Sequence, residues 1–214
     1  MNYQVLLTEM LQGTLMTLRI FFSTLVFALP LGLLVSLGRM SKIKIINWPV
    51  RLFILIMRGT PLMLQLLFVF YGLKPLFGIQ LDRVIAAQVA FALNYAAYFA
   101  EIFRSGIQSI PVGQHEAAKI LGYSRMQKFL RIITPQMIKR VLPAVTNESI
   151  TLVKDTSLAF AISYIELFTE TQMIAASETS MLPYLAAAIF YYVFNLVVAG
   201  LMSLLEKKLN YYKI

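Results

Sequence analysis

Glu148, Thr151 and Asp155 stand at positions i, i+3 and i+7 of one mostly apolar stretch. If the stretch is helical, this spacing places both carboxylates and the hydroxyl on the same face. Lipid exposure of such a face would cost about 2.5–3.5 kcal/mol for each charge near the bilayer centre. We therefore expect it to line a water-accessible pathway or to pack inside a bundle. Its carboxylates are suited to an ammonium or guanidinium group.

A second polar face precedes this one in the chain. Asn94, Tyr98 and Glu101 recur at i, i+4 and i+7, so they also share one side of a predicted helix. Two interpretations stay open at this point, an interhelical hydrogen-bond contact and a place on a pathway. Glu101 lies near the predicted cytoplasmic end, where it can reach the membrane interface or pair with Arg104.

The two carboxylates of the first face differ in their sequence neighbours. Lys154 is adjacent to Asp155 and could neutralise it, which would be a purely structural role. Glu148 has no cation nearby in the sequence and is therefore the stronger pathway candidate.

The chain lacks the motifs of common enzyme chemistry. It contains no G-x-x-x-x-G-K-[ST] phosphate loop, no H-E-x-x-H and no G-x-S-x-G. Its single histidine, His115, has no partner for catalysis or metal binding, and the absence of cysteine excludes disulfides and thiolate ligands. We predict that the chain is not an enzyme and binds no cofactor or metal. Its basic residues sit at predicted helix ends, which argues against nucleic-acid binding.

The elements that position these faces are predicted to be membrane-spanning helices. Hydrophobic residues make up 59% of the 214, against about 45–50% in soluble domains. The pattern predicts an all-α integral membrane protein, one domain over residues 1–214. It has five transmembrane helices and a cytoplasmic helix between the third and fourth. The predicted spans cover residues 14–37, 52–77, 84–103, 136–157 and 182–205.

Two details of this arrangement can be checked against a structure. Arg58 and Gly59 interrupt the second span, and Thr60 is predicted to N-cap a fresh helix with Pro61 at its first position. The acid-rich, lysine-free residues 163–178 are predicted to form a solvated surface helix on the outer side, with a gate role as the minority alternative.

Basic residues indicate the orientation. Residues 39–51 carry four Lys or Arg and no acid, and residues 104–140 carry seven against Glu116 alone. Because cytoplasmic loops are enriched in Lys and Arg, both segments are predicted to face the cytoplasm. Lys207, Lys208 and Lys213 close the chain on the same side. The N-terminus is then outside and the C-terminus is cytoplasmic.

The loop between the third and fourth spans has its own helical pattern. Residues 114–121 are good helix formers, and Gly122 is placed to end the helix in a left-handed turn. Ser124 is predicted to cap a second helix that runs to about Ile133, with Pro135 behind it. A helix of about eight residues measures only ~12 Å, too short to cross a bilayer.

The spacing within this loop resembles a known family. Glu116-Ala117-Ala118, three residues, Gly122, nine residues and then Ile132-Ile133-Thr134-Pro135 is similar to the cytoplasmic coupling loop of ABC-importer permeases. Thr134 replaces the leucine usual there. Residues 58–65 and 100–111 resemble segments typical of permeases for polar amino acids.

The resemblance implies an ABC type I importer permease fold in a prokaryotic inner or plasma membrane. It implies that Gln114, Glu116, Ala117, Ala118 and Gly122 dock on a separate ATPase dimer that binds ATP and magnesium. A second permease copy, identical or related, would complete the pathway, and an extracytoplasmic binding protein would deliver an amino acid. The candidate pathway residues are Glu148, Asn94, Thr151, Asp155 and Tyr98.

The nature of the substrate stays open between two classes. Two carboxylates favour a basic amino acid such as arginine, lysine or histidine. The Asn147-Glu148 and Lys154–Leu158 segments also resemble permeases for glutamine, so a neutral polar amino acid is the alternative. A different class of function is a secondary transporter or channel that works without an ATPase, its carboxylates carrying protons or ions. A membrane enzyme has the least support.

Overall fold

The structure is a computed structural model that describes residues 3–209, with side chains from Leu7 onward. Lys213, part of the predicted cytoplasmic cluster, lies outside the described residues. Within them the chain is helical almost throughout, as predicted. The α-helices are α1 (Tyr3–Arg39), α2 (Lys44–Gly59), α3 (Leu62–Leu67), α4 (Leu73–Phe77), α5 (Arg83–Gln108), α6 (Val112–Ile120), α7 (Arg125–Lys128), α8 (Thr134–Asp155), α9 (Leu167–Glu178) and α10 (Leu182–Leu209).

Three helices are long and apolar enough to cross a membrane within the described range: Leu7–Arg39, Arg83–Gln108 and Leu182–Leu209. A fourth span results if α2 and the segment Leu62–Phe77, which are bent by 111° at their junction, count as one broken helix. Helix α8, with 22 residues, is ~33 Å long, which is enough to cross a bilayer. The face that carries Glu148 and Asp155 is polar, however, so α8 is not among the helices that are apolar enough to count as a span. The five-span count stays a prediction.

The break in the second span lies where the sequence predicts it, but its capping differs. Pro61 is the N-cap of α3, and no side chain caps that end. Thr60 is extended and ends α2, its hydroxyl donating to the Ile56 carbonyl at 2.8 Å. The prediction of Thr60 as N-cap is wrong, because the residue before a proline is pushed to extended backbone and falls outside the new helix.

The sequence predicts that the helix capped by Ser124 ends near Ile133, before the fourth predicted span. The structure has no such break between the two helices. A π-helical segment, Phe129–Ile133, joins α7 directly to α8. Pro135 lies in the first turn of α8, a position that suits proline's fixed φ and missing N–H. The chain therefore passes from the loop into α8 without a hinge at this proline.

The core is centred on α5, which packs chiefly against α1 and also against α2 and α8. Its buried residues alternate between alanines and aromatic rings, so neighbouring helices approach closely while large side chains fill the spaces between them. The fully buried rings are Phe91, Tyr95 and Phe99. This central helix carries the second polar face identified from the sequence.

The prediction of a solvated helix over residues 163–178 is wrong for its inner face. Helix α9 packs against α1 and α10. Glu166, Leu167 and Thr171 are buried, and Glu166 has no exposed surface at all. The acids suggested a surface, but Glu166 instead caps α9 from within the fold by accepting hydrogen bonds from Phe168 N and Thr169 N, both at 2.8 Å.

Candidate functional site

Asp155 lies at the end of α8 and faces the central helix. Its Oδ2 accepts a hydrogen bond from the Tyr95 hydroxyl at 2.7 Å. The Asp155 side chain is partly buried, and the Tyr95 ring is fully buried beneath it. Lys154, which the sequence offered as a neutralising partner, is exposed. The structure therefore supplies a tyrosine donor for Asp155, and the rest of the carboxylate stays available.

Glu148 lies two helical turns before Asp155 on the same face. It lines a polar cavity of about 540 Å³ between α2, α5 and α8. Tyr98 and Arg58 line the same cavity, and the Arg58 guanidinium stands 5.1 Å from the centre of the Tyr98 ring. Among the described residues, no hydrogen bond or ion pair reaches Glu148. Its carboxylate is therefore partly buried and unpaired, and the side chains of Arg58, Arg104 and Arg140 line the same cavity.

Asn94 donates hydrogen bonds to groups on both sides of the helix break in the second predicted span. Its side-chain nitrogen donates to the Met57 carbonyl at 3.0 Å and to Gln65 Oε1 at 2.9 Å. Gln65 in turn donates to the Met57 and Thr60 carbonyls, at 3.0 and 3.1 Å. Backbone carbonyls freed by a helix break must be satisfied when water is scarce. Asn94 and Gln65 do this together, which makes Asn94 an interhelical contact as well as a neighbour of the site.

Of the remaining sequence candidates, some line the cavity of Glu148 and others do not. Thr151 is exposed, and its hydroxyl donates to the Asn147 carbonyl one turn earlier at 3.2 Å. Glu101 pairs with Arg104 through a 2.6 Å contact, the alternative that the sequence allowed. Tyr98 and Glu101 are the two members of the α5 face that line the same cavity as Glu148.

Sequence reasoning missed Tyr95, Gln65 and Arg58 as members of this region. Tyr95 is adjacent to Asn94 but lies outside the i, i+4, i+7 pattern, so periodicity did not select it. Gln65 and Arg58 belong to the segment compared with amino-acid permeases, and they lie on either side of the 111° bend at the helix break. The signal that could have found them is a polar residue on each side of a Gly-Thr-Pro interruption.

The loop after α5 has the predicted local structure. Helix α6 ends at Ile120, and Gly122 follows with a φ of +74°, a left-handed conformation suited to glycine. Ser124 and Gln127 form a capping box at the start of α7. Ile120 and Leu121 are 85% and 72% exposed, whereas Ala118 is buried. The loop thus presents an apolar tip supported by one small inward residue.

Comparison with known proteins places these features in a family. Residues 28–211 match the family described as binding-protein-dependent transport system inner membrane component. The chain is 39% identical over 203 residues to a probable amino-acid ABC transporter permease of Bacillus subtilis (strain 168), covering 94% of this chain and 89% of the relative. It is 37% identical over 203 residues to the arginine transport system permease of the same organism, covering 94% and 92%.

Solved structures agree with the fold. An amino acid ABC transporter crystallised with histidines superposes with a TM-score of 0.86 at 35% identity, covering 94% of each chain. An inward-facing methionine ABC transporter gives a TM-score of 0.74 at 19% identity, covering 97% of each chain, which shows the fold alone. The helical architecture is therefore that of an ABC type I importer permease. The chain belongs to the family of inner membrane components of binding-protein-dependent transport systems, as the spacing in its α6 loop indicated.

Proposed function

We propose that this chain forms the translocation pathway of an ATP-driven importer for a polar amino acid, and specifically a basic one. The observation that carries the proposal is the pair of carboxylates on one face of α8. Glu148 is unpaired in a polar cavity among the described residues, and Asp155 holds only the Tyr95 hydroxyl. Carboxylates with free lone pairs in a partly dehydrated space bind guanidinium and ammonium groups strongly.

The relatives support a cationic substrate without deciding it. One is named an arginine permease, another an octopine permease, and the transporter of similar fold was crystallised with histidines. We infer that Glu148 and Asp155 receive positively charged groups of the substrate, with Tyr95 orienting Asp155. Asn94 and Tyr98 would border the same space, and Thr151 would face it from the exposed side of α8.

A neutral polar amino acid is the second candidate. Arg58 lies in the same cavity as Glu148 and within electrostatic reach of it. A cation beside a carboxylate matches the α-carboxylate and α-ammonium of any zwitterionic amino acid. Relatives named for cystine, 35% identical, and glutamine, 31% identical, favour this alternative.

Energy would come from outside the chain. Gln114, Glu116, Ala117, Ala118 and Gly122 would dock on the ATPase dimer that binds ATP and magnesium. A second permease copy would complete the pathway, and an extracytoplasmic protein would deliver the substrate. The described α6 loop suits docking, because its apolar tip at Ile120 and Leu121 is exposed. The N-terminus would lie outside a prokaryotic inner or plasma membrane, and the C-terminus in the cytoplasm.

The substrate class is tested by competition in proteoliposomes that hold the complete transporter. Labelled arginine is offered together with unlabelled lysine, histidine or glutamine in excess. A basic specificity predicts inhibition by lysine and histidine and little by glutamine. If arginine is not imported while glutamine is, the basic assignment is rejected and the neutral one takes its place.

Glu148→Gln tests the carboxylate directly. It removes a charge-assisted contact, so import of a basic amino acid should fall by about 10- to 100-fold. Glu148→Asp keeps the charge and should retain more import than Glu148→Gln. Equal arginine import by all three proteins would remove Glu148 from the binding site.

Docking on the ATPase is tested at the turn after α6. Gly122→Val places a β-branched residue at a φ of +74°, where such residues rarely occur. Its matched control is Gly78→Val, which has a similar φ of +70° and open space but follows α4, away from the α6 loop. Only the Gly122 variant should lose the ATPase on co-purification. A secondary transporter or channel predicts that the unmodified chain moves solute without any ATPase bound.

A further inference from the structure

The predicted cytoplasmic ends of α5 and α8 are joined beside the coupling loop. Arg140, on α8, donates from Nη1 to the Ser109 carbonyl, and to the Ser109 hydroxyl at 3.0 Å. Ser109 is the residue that ends α5, and α6 begins at Val112. The Arg140 guanidinium on α8 is therefore hydrogen-bonded to the short segment that connects α5 to α6, where the coupling loop begins.

Close packing reinforces this connection one turn earlier. Gly106 is buried, and a Cβ built there would lie 2.2 Å from Val141 Cγ1 and 3.2 Å from Met137 Cγ. Helices α5 and α8 thus approach as closely as a glycine permits. Valine is stiff at χ1, so Val141 cannot easily turn away from this contact. The Ser109 hydroxyl also donates to the Gly106 carbonyl at 2.7 Å, which fixes the end of α5.

Helix α6 itself is weakly held. Within the described residues its only buried side chain is that of Ala118. One side-chain hydrogen bond joins α6 to α8 there, from Gln136 Nε2 to Gln114 Oε1, and it is long at 3.4 Å. A force applied to α6 can therefore reach α8 by three routes. One passes along the backbone through α7, a second through the long Gln136–Gln114 contact, and a third through Ser109 and Arg140.

We propose that Arg140 is a positioning residue that fastens the α5–α6 junction to α8. Through it, displacement of the coupling loop moves α8 together with the end of α5 as one body. Arg140 and Ser109 line the same cavity as Glu148, which lies eight residues further along α8, about 12 Å by helical rise, so the motion reaches the carboxylate face. This inference rests on the proposed docking of α6 on an ATPase. It adds the residue that carries the displacement into the membrane.

The first test compares Arg140→Gln with the unmodified chain in the complete transporter, reconstituted with its ATPase and binding protein. Amino acid imported per ATP hydrolysed should fall by about tenfold, within the 5- to 150-fold typical of coupling between sites. The ATPase should still co-purify. Arg140→Lys keeps a donor for the Ser109 carbonyl and should recover most of the ratio. Arg51→Gln, an equal loss of charge at an exposed position of α2, should leave it unchanged.

A second test uses the absence of cysteine from the sequence. Ser109→Cys and Arg140→Cys together remove the contact and offer two unique thiols. Without a cross-linker, the double variant should import much less amino acid per ATP hydrolysed than the unmodified chain. A short cross-linker that joins both thiols should restore the ratio, because the connection is required to stay closed throughout the cycle. An unlinked variant with normal coupling, or a linked one that stays uncoupled, overturns the proposal.

The two proposals fail in different ways. If the unmodified chain does not retain an ATPase on purification, docking of α6 is rejected, and the role of Arg140 is rejected with it. If the ATPase is retained and Arg140→Gln imports the normal amount per ATP, docking survives and only the role of Arg140 is rejected.

Discussion

Two carboxylate centres in this protein differ in how many hydrogen bonds their oxygens accept. Glu166, at the start of α9, has no exposed surface and accepts hydrogen bonds from Phe168 N, Thr169 N and the Tyr191 hydroxyl at 2.8–2.9 Å. Asp155, on α8, accepts one from Tyr95. Glu148 accepts none among the described residues. A saturated carboxylate stabilises the fold, whereas an unsaturated one in a cavity is available to a ligand.

This difference ranks the carboxylates by how much each contributes to stability. Removing an acceptor that is fully used leaves buried donors unpaired, which costs free energy. Removing one that is unused costs little stability but alters binding. The four predictions below test that ranking through the free energy of unfolding, measured by titrating the protein in mild-detergent micelles with a denaturing detergent.

The largest effect is expected for Glu166→Ala. The change removes the N-cap of α9 and leaves two partly buried backbone N–H groups and the Tyr191 hydroxyl without their acceptor. The free energy of unfolding should fall by about 2–4 kcal/mol. Glu116→Ala, at an exposed position of α6, is the control and should change it by about 0.5 kcal/mol or less. Equal effects for the two variants would mean that Glu166 has no special role in the fold.

A smaller loss is expected for Tyr191→Phe. The variant keeps the ring of α10 and removes one hydroxyl, which donates to Glu166 at 2.9 Å. The cost should be about 1–1.5 kcal/mol, the upper part of the range for a single intramolecular hydrogen bond. Tyr192→Phe removes the neighbouring hydroxyl at a residue that is 65% exposed and should have almost no effect. A Tyr191 variant as stable as the Tyr192 control would show that the remaining donors suffice for Glu166.

Tyr95→Phe should cost less again, about 0.5–1 kcal/mol, the range of interhelical hydrogen bonds in membranes. Asp155 is only partly buried, so water can replace the lost donor. The variant should instead raise the apparent KM for import, since Asp155 loses the group that orients it. A double-mutant cycle with Asp155→Asn measures this coupling in both stability and KM. Additive changes in KM would separate Tyr95 from Asp155 in function.

The same contrast shows which features the sequence could predict. Helical periodicity placed Glu148 and Asp155 on one face, and the positions of glycine and serine predicted the turn at Gly122 and the cap at Ser124. These signals are local, so a single stretch of chain contains them. Tyr95, Arg58 and the burial of Glu166 depend on residues brought together from distant parts of the chain. Tyr191, for instance, is 25 residues from the carboxylate to which it donates.

Glu148→Gln should have the smallest effect on stability of the four, about 0.5 kcal/mol or less. No hydrogen bond among the described residues is lost, and the amide keeps the size of the side chain. Removing an unpaired, partly buried charge can even offset its own desolvation cost, so a slight gain in stability is compatible with the ranking. Arg58, Arg104 and Arg140 line the same cavity as Glu148, and this cavity is open enough for water to screen their charges.

The role of Glu148 is decided when the free energy of unfolding and the import of amino acid are measured on the same preparation of Glu148→Gln. A Glu148→Gln protein that unfolds like the unmodified chain but imports far less amino acid assigns the carboxylate to the ligand. Loss of 2 kcal/mol or more, as for Glu166→Ala, would instead mean that Glu148 stabilises the fold through Arg58 (the size follows from breaking a buried charge contact). Arg58→Gln then separates the two cases. If Glu148 and Arg58 form a structural pair, either substitution should lower the free energy of unfolding by the same amount. If Glu148 instead serves the ligand, neither substitution should lower it.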